Sequence, residues 1–340
     1  MKAFRYLGAR KAELVEIPQP TIHEGEALAR VLGCGICATD VKTFLRGHPL
    51  IPPGTVLGHE LVGEIVESRA EGVQPGMRVM IAPYLGCGQC ALCRRGRYSL
   101  CERLFEAATE PGGFCEFVRI PPRIVAGGLH ALPPTLDTNT ATLAEPLACC
   151  YHGLDVVGLR PGESVLIIGD GPMGLLQTVA AREMGASRII VAGKTPERLA
   201  WAAARADAVI DVARLDLRET ALALNAGRGY ERVMLSVAAP DLVEVGLALT
   251  ARGGGLNVFA GLPRDARLSV DPFKIHYDEV SLVGTFGFGG PDFARAARAL
   301  SAGALDLRGF ITKTVGLDGI EAAFAESAAY QGIKTVVNLA

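Results

Sequence analysis

Long apolar runs are missing from the sequence. No stretch of its 340 residues approaches the ~20 consecutive apolar residues needed to cross a bilayer, so no membrane-spanning role is expected. An excess of charge of one sign is missing too. Thirty-four Lys and Arg stand against 36 Asp and Glu, a net charge of −2, and no basic field is available to displace counterions from nucleic acid. The opening MKAFRYLGARKAELVEIPQP carries charges throughout and no apolar h-region, which predicts no secretory signal. Nine cysteines in such a chain are expected as thiols or metal ligands in the reducing cytoplasm, not as disulfides. No internal repeat or low-complexity linker interrupts it. What remains is a composition of 49% hydrophobic and 21% charged residues, that of an ordinary globular protein.

At this length one core stops growing, and two domains are the default expectation. To about residue 145 the chain is rich in Gly, Pro and short apolar runs, among them ALARVLGCGI, LVGEIVES and RVMIAPY, which predict β-strands with little helix. From Glu163 the texture changes. SVLIIG, SRIIVAG, DAVIDV, ERVMLSV and LNVFAG alternate with alanine-rich segments of helical length, including MGLLQTVAAREMGA and PERLAWAAARA. That alternation predicts βαβ units around a doubly wound parallel sheet. Near the end, PDFARAARALSAG and LDGIEAAFAES are helix candidates before a terminal strand, KTVVNLA. The expected division is 1–150 with 287–340 as a β-rich domain, and 151–286 as a dinucleotide-binding domain.

Within VLIIGDGPMGLL, Gly169, Gly171 and Gly174 form G-x-G-x-x-G between a strand and a helix. The first glycine permits the tight turn, the second lets the backbone approach a pyrophosphate, and the third lets helix and strand pack closely. Pro172 and Met173 complete the turn, whose helix N-terminus offers N–H groups to phosphates. The next strand ends in Gly193 and Lys194, where an NAD-selective fold usually has Asp or Glu for the ribose 2′-hydroxyl. Thr195 and Pro196 are expected as N-cap and N1 of the following helix, with Arg198 one turn on. A missing carboxylate and two added cations predict a preference for NADP over NAD.

Two sets of residues suggest metal. Cys87, Cys90, Cys93 and Cys101 follow C-x2-C-x2-C-x7-C, a spacing that suits a closed tetrahedral zinc with a structural role. Arg94, Arg95 and Arg97 then form a solvated face of that lobe. Cys37 in GICATD, His59 and Glu60 in VLGHELVGEI, and Glu145 in LAEPLACC form a dispersed thiol, imidazole and carboxylate set of the kind that builds a catalytic zinc site.

Taken with CGQCALC, GGFCEFVRIP and GDGPMG, these motifs resemble the zinc-dependent medium-chain dehydrogenase/reductase superfamily, its alcohol, polyol and threonine dehydrogenase group. The resemblance implies a GroES-like β-rich catalytic domain interrupted by a Rossmann domain. It also implies two zinc ions per subunit, the catalytic one on Cys37, His59 and Glu145, with Glu60 as an alternate or fourth ligand. Thr39 matches the family's proton-relay hydroxyl. Where relatives often have histidine this chain has Lys42, either a relay base or a cofactor contact. The implied reaction moves a hydride between NAD(P) and a secondary alcohol or ketone, with polyols, sugars, cyclitols or amino alcohols as substrate classes. Aldehyde-forming oxidation of primary alcohols is the alternative within enzymes. NADP(H) sensing or nucleic-acid binding on a dehydrogenase fold are the alternatives of another class. A homodimer or homotetramer is expected, with DEVSLVGTF as a candidate edge strand.

Overall fold

The computed structural model describes residues 1–339. The chain folds as two compact units, 1–148 with 288–340, and 149–287. The first segment supplies strands β1 (Lys2–Gly8), β2 (Lys11–Glu16), β3 (Ala27–Gly35), β4 (Glu60–Ser68), β5 (Arg78–Ile81), β6 (Phe117–Ile120) and β7 (Leu129–Ala131). The middle supplies β8 (Ser164–Ile168), β9 (Arg188–Gly193), β10 (Ala208–Asp211), β11 (Tyr230–Leu235), β12 (Thr250–Val258) and β13 (Ser281–Gly284). The return adds β14 (Ile311–Val315) and β15 (Lys334–Asn338).

In the first unit β14-β15-β3-β4-β5-β7 form a sheet in that order, with β6 also paired to β3. β3 is buried along nearly its whole length because sheet partners and packed side chains cover it. The last strand, β15, runs antiparallel beside β3, with Val336 opposite Gly35. The return segment therefore shares one sheet with strands of the first segment. In this segment the structure has a helix that hydrophobic periodicity did not announce, Ala38–Arg46. It starts at the residue on which the metal expectation rests.

In the second unit six strands run in the order β10-β9-β8-β11-β12-β13, every neighbouring pair parallel. Numbered within the unit this is 3-2-1-4-5-6, the doubly wound order that reverses between its first and fourth strands. β8 is buried throughout, as a central strand covered on both faces must be. β12 starts well before the LNVFAG run, because Gly253, Gly254 and Gly255 carry the chain into the sheet with almost no side chain to place.

Candidate functional site

Cys37 is the N-cap of the Ala38–Arg46 helix, in extended conformation, and its Sγ accepts a hydrogen bond from the Thr39 N–H at 3.4 Å. Asp40, three residues on, returns the favour: its Oδ2 accepts the Cys37 N–H at 3.0 Å. This is a capping box built with a thiol. The other Asp40 oxygen accepts the Gly58 N–H at 3.2 Å and lies 3.5 Å from His59 Nδ1. One buried carboxylate thus fixes the backbone of Cys37 and the imidazole of His59. Burial alone would lower the His59 pKa, but the charges of Asp40 and Cys37 and hydrogen bonds to both outweigh it and raise it well above the usual value. Gly58 has φ +91°, and a side chain there would strike Phe114 and the Cys34 thiol, so only glycine lets the loop deliver His59.

Glu60 opens β4 opposite Gly35 of β3, and its side chain is fully buried. Its Oε1 accepts a hydrogen bond from Lys334 Nζ at 2.6 Å, and the same ammonium donates to the Ile36 carbonyl at 2.9 Å. Lys334, itself only 4% exposed, comes from the first position of β15. Burial would lower its pKa, but Glu60, Cys37 and Glu145 together raise it, so it is charged at neutral pH. Glu60 Oε2 also lies in ion-pair contact with Nζ, yet it has no well-directed hydrogen-bond partner. A buried carboxylate oxygen left in that state invites a further positive ligand. Gly35 is what makes the arrangement possible, since a Cβ there would overlap Glu60 Oε2.

Ligand atoms of Cys37, His59 and Glu60 lie within 4.8 Å of one another, close enough to share one ion. Thiolate, imidazole and carboxylate are a donor set that fits zinc. Glu145 is not part of that trio. It is buried in the first turn of the Ala144–Val156 helix, and its charge acts on Lys334. Thr39 and Lys42 are both exposed and stand three residues apart on the Ala38–Arg46 helix, on the side away from buried Val41 and Phe44.

Cys87, Cys90, Cys93 and Cys101 also converge within 4.8 Å. The Cys90 and Cys101 sulfurs are 3.9 Å apart, close to the roughly 3.8 Å edge of a tetrahedron with ~2.3 Å Zn–S bonds. Backbone N–H groups of Gln89 and Cys90 point at Cys87 Sγ, and that of Cys93 points at Cys90 Sγ. These donors favour thiolates. They lower the Cys87 pKa to about 6, whereas burial pushes Cys93 up to about 12. Arg94, Arg95 and Arg97 are exposed on the lobe.

In the second unit Gly169 has φ +123°, and a Cβ there would press on the Ser236 backbone. Gly171 is the N-cap and Pro172 the first residue of the Pro172–Glu183 helix. Met173 is half-buried, its carbonyl accepting from the Cys150 thiol at 3.6 Å. A Cβ on Gly174 would overlap the Gly169 carbonyl, the close approach that the third glycine allows. Gly193 ends β9, Lys194 is exposed beyond it, and Arg198 is buried in the Pro196–Ala203 helix. Thr195 is the N-cap of that helix, but its hydroxyl makes no capping bond.

Three charged residues escaped the sequence reading. Asp40 sits where a capping-box acid belongs, a signal disguised by the cysteine at N-cap. Asp170 lies inside the glycine fingerprint, at a position the motif leaves open. Lys334 is 274 residues from Glu60 and has no local signal at all.

The comparisons agree on the kind of protein. The family described as alcohol dehydrogenase GroES-like domain matches residues 23–130, and that described as zinc-binding dehydrogenase matches 172–302. D-arabinitol dehydrogenase 1 of Uromyces fabae is 31% identical over 350 residues, spanning 99% of this chain and 97% of that protein. Sorbitol dehydrogenase of Bacillus subtilis strain 168 is 29% identical over 326 residues, spanning 94% of this chain and 91% of that protein. Among solved structures, a zinc-binding dehydrogenase from Sinorhizobium meliloti 1021 bound to NADP superposes with a TM-score of 0.90 at 29% identity, covering 99% of this chain and 98% of that one.

Proposed function

The chain belongs to the zinc-dependent medium-chain dehydrogenase family, and from that premise we propose that it oxidises a polyol or sugar-like secondary alcohol, or reduces the matching ketone, at Cys37, His59 and Glu60. It is an oxidoreductase that exchanges a hydride with a nicotinamide cofactor. The observation that carries the site is the convergence of thiol, imidazole and carboxylate within 4.8 Å. Zinc held there supplies Lewis acidity to the substrate oxygen, which eases loss of its proton. Glu145, buried beside the same charges, is proposed as a further ligand.

The residues of the chain do the rest. Asp40 orients His59 and fixes the thiol-bearing turn. Lys334 balances Glu60, so the carboxylate has two partners to choose between, the ammonium and the metal. With Cys37 and two carboxylates all bound, three negative charges would weaken a zinc ion as an acid, and Lys334 would offer Glu60 the alternative partner that lightens that load. Thr39 carries the substrate proton outward, and Lys42 on the same face is either its next acceptor or a contact to the cofactor. The four-cysteine lobe is proposed as a second, structural zinc site, whose Arg94, Arg95 and Arg97 face solvent. Lys194 and Arg198 support a preference for NADP.

No helix is long and apolar enough to cross a membrane, and no disulfide joins cysteines among the described residues. We place the protein in the cytoplasm. β13 lies at an edge of the six-stranded sheet, and pairing with its copy would make a homodimer, alone or within a homotetramer. The test of the whole reading is a screen of polyols, primary alcohols and ketones with both cofactors, with zinc measured on the same sample. Turnover of secondary alcohols with two zinc ions per chain is expected. Catalysis that survives complete zinc removal would sink it.

A further inference from the structure

The carboxylate of Asp170 leaves the fingerprint turn and folds over Gly193 at the end of the neighbouring strand. A Cβ built on Gly193 would overlap the Asp170 side chain and lie 2.6 Å from its Oδ2. That oxygen accepts the N–H groups of Lys194 at 3.0 Å and Thr195 at 2.7 Å. Asp170 therefore holds the two N–H groups that lead into the Pro196–Ala203 helix, those of the N-cap Thr195 and of the residue before it. The side chain is only 8% exposed, and Oδ1 accepts no hydrogen bond among the described residues. The absence of an acid at position 193 is thus only an absence in sequence. In space a carboxylate stands where the side chain of that residue would begin.

The end of this strand is where a dinucleotide's adenosine ribose is distinguished, an acid favouring the 2′-hydroxyl and cations the 2′-phosphate. We propose that Asp170 is a specificity-determining residue for the cofactor, opposing Lys194 and Arg198. It does so in two ways. Its charge repels a 2′-phosphate while Oδ1 remains available to a 2′-hydroxyl. It also occupies the two backbone N–H donors that the turn would otherwise offer to an anion. The inference rests on this turn being the cofactor site, as proposed above, but not on which cofactor the parent prefers.

The test compares Asp170→Asn, Asp170→Ser and Asp170→Glu with the parent, measuring dissociation constants for NADPH and NADH. Energy transfer from Trp201, the single tryptophan and a residue of the Pro196–Ala203 helix, reports binding without turnover. The neutral variants are expected to shift the affinity ratio toward NADPH by about tenfold or more, as loss of a nearby like charge in a poorly screened site should. Asp170→Glu keeps the charge and is expected to keep a ratio nearer the parent's, although it disturbs the packing more. A ratio unchanged in both neutral variants, or moved toward NADH, overturns the proposal. So does an equal shift in Asp170→Glu, which would make the effect one of shape. Lys194→Ala separates this from failure of the underlying reading: if the turn binds the ribose end, that variant weakens NADPH alone. If all four variants leave both constants unchanged, the turn is not the cofactor site and both readings fall.

Discussion

Replacing Lys334 by methionine tests the metal pocket most sharply. The substitution keeps most of the volume and removes the ammonium, leaving the Glu60 carboxylate with no basic partner in a site where the pair is 0% and 4% exposed. Breaking one side of such a buried pair typically costs about 3–5 kcal/mol, because the remaining charge has lost its water as well as its partner. In the metal-free protein Lys334→Met is expected to lose stability on that scale. In the zinc-loaded protein the loss should be smaller, since the orphaned carboxylate can turn to the ion. Linkage then requires zinc to bind the variant more tightly, by at least about tenfold if ~1.4 kcal/mol of the loss is recovered. Hydrogen exchange of β3 and β15 peptides measures the first effect within the unit concerned. Zinc retained after dialysis against graded chelator measures the second, with the four-cysteine lobe as an internal control. Glu60→Gln added to Lys334→Met should relieve most of the instability and abolish the gain in zinc affinity. Equal losses with and without metal, together with unchanged zinc retention, would refute the idea that Glu60 reaches the ion.

Three further outcomes are expected. Gly35→Ala drives a methyl group into Glu60 Oε2 and should release zinc from the Cys37 site while the lobe keeps its own; metal analysis showing both ions retained would count against the packing argument. Cys93→Ser should remove the lobe zinc and lower the temperature of unfolding without altering the cofactor ratio, a result read by calorimetry and by binding of NADPH and NADH. In metal-free protein, Cys87 should be alkylated at a pH below that of an ordinary thiol, and Cys93 only at a pH above it. Because the Cys87 pKa is depressed by folding, its contribution to the metal-free lobe is present above the usual thiol value of about 8.5 and is lost as pH falls through about 6. A single shared midpoint for the two thiols would contradict it.

The parallel sheet was legible because its first strands, β8 and β9, are short β-branched runs each followed by a helical alanine-rich segment, and burial on both faces demands that texture. The four-cysteine lobe was legible because its ligands are neighbours in sequence. The Ala38–Arg46 helix was not, since it is short and its cap is a thiol: Cys37 and Asp40 satisfy the geometry of a capping box with a residue type that capping statistics do not favour. Cys37, His59 and Glu60 could be picked out only through resemblance, because each alone is an ordinary core thiol, imidazole or acid. Lys334 lay beyond any local argument. The countercharge of Glu60 is decided by a strand pairing that no spacing rule encodes. Asp170 shows the opposite failure, for it was in full view and was passed over because the motif assigns no task to its position.

The position of β15 bears on how the protein is born. Glu60 leaves the ribosome 274 residues ahead of Lys334, and at ordinary translation speeds that is an interval on the order of tens of seconds. Throughout it the acid lacks Lys334, the ammonium it meets in the folded protein, while neighbouring His59 and the earlier Cys37 have already been made. A chain that has reached Glu60 but not yet Lys334 holds an acid whose countercharge is still to come, and the pair forms only when β15 docks beside β3. The buried ion pair is thus closed late, an order of events written into the connectivity of a single sheet.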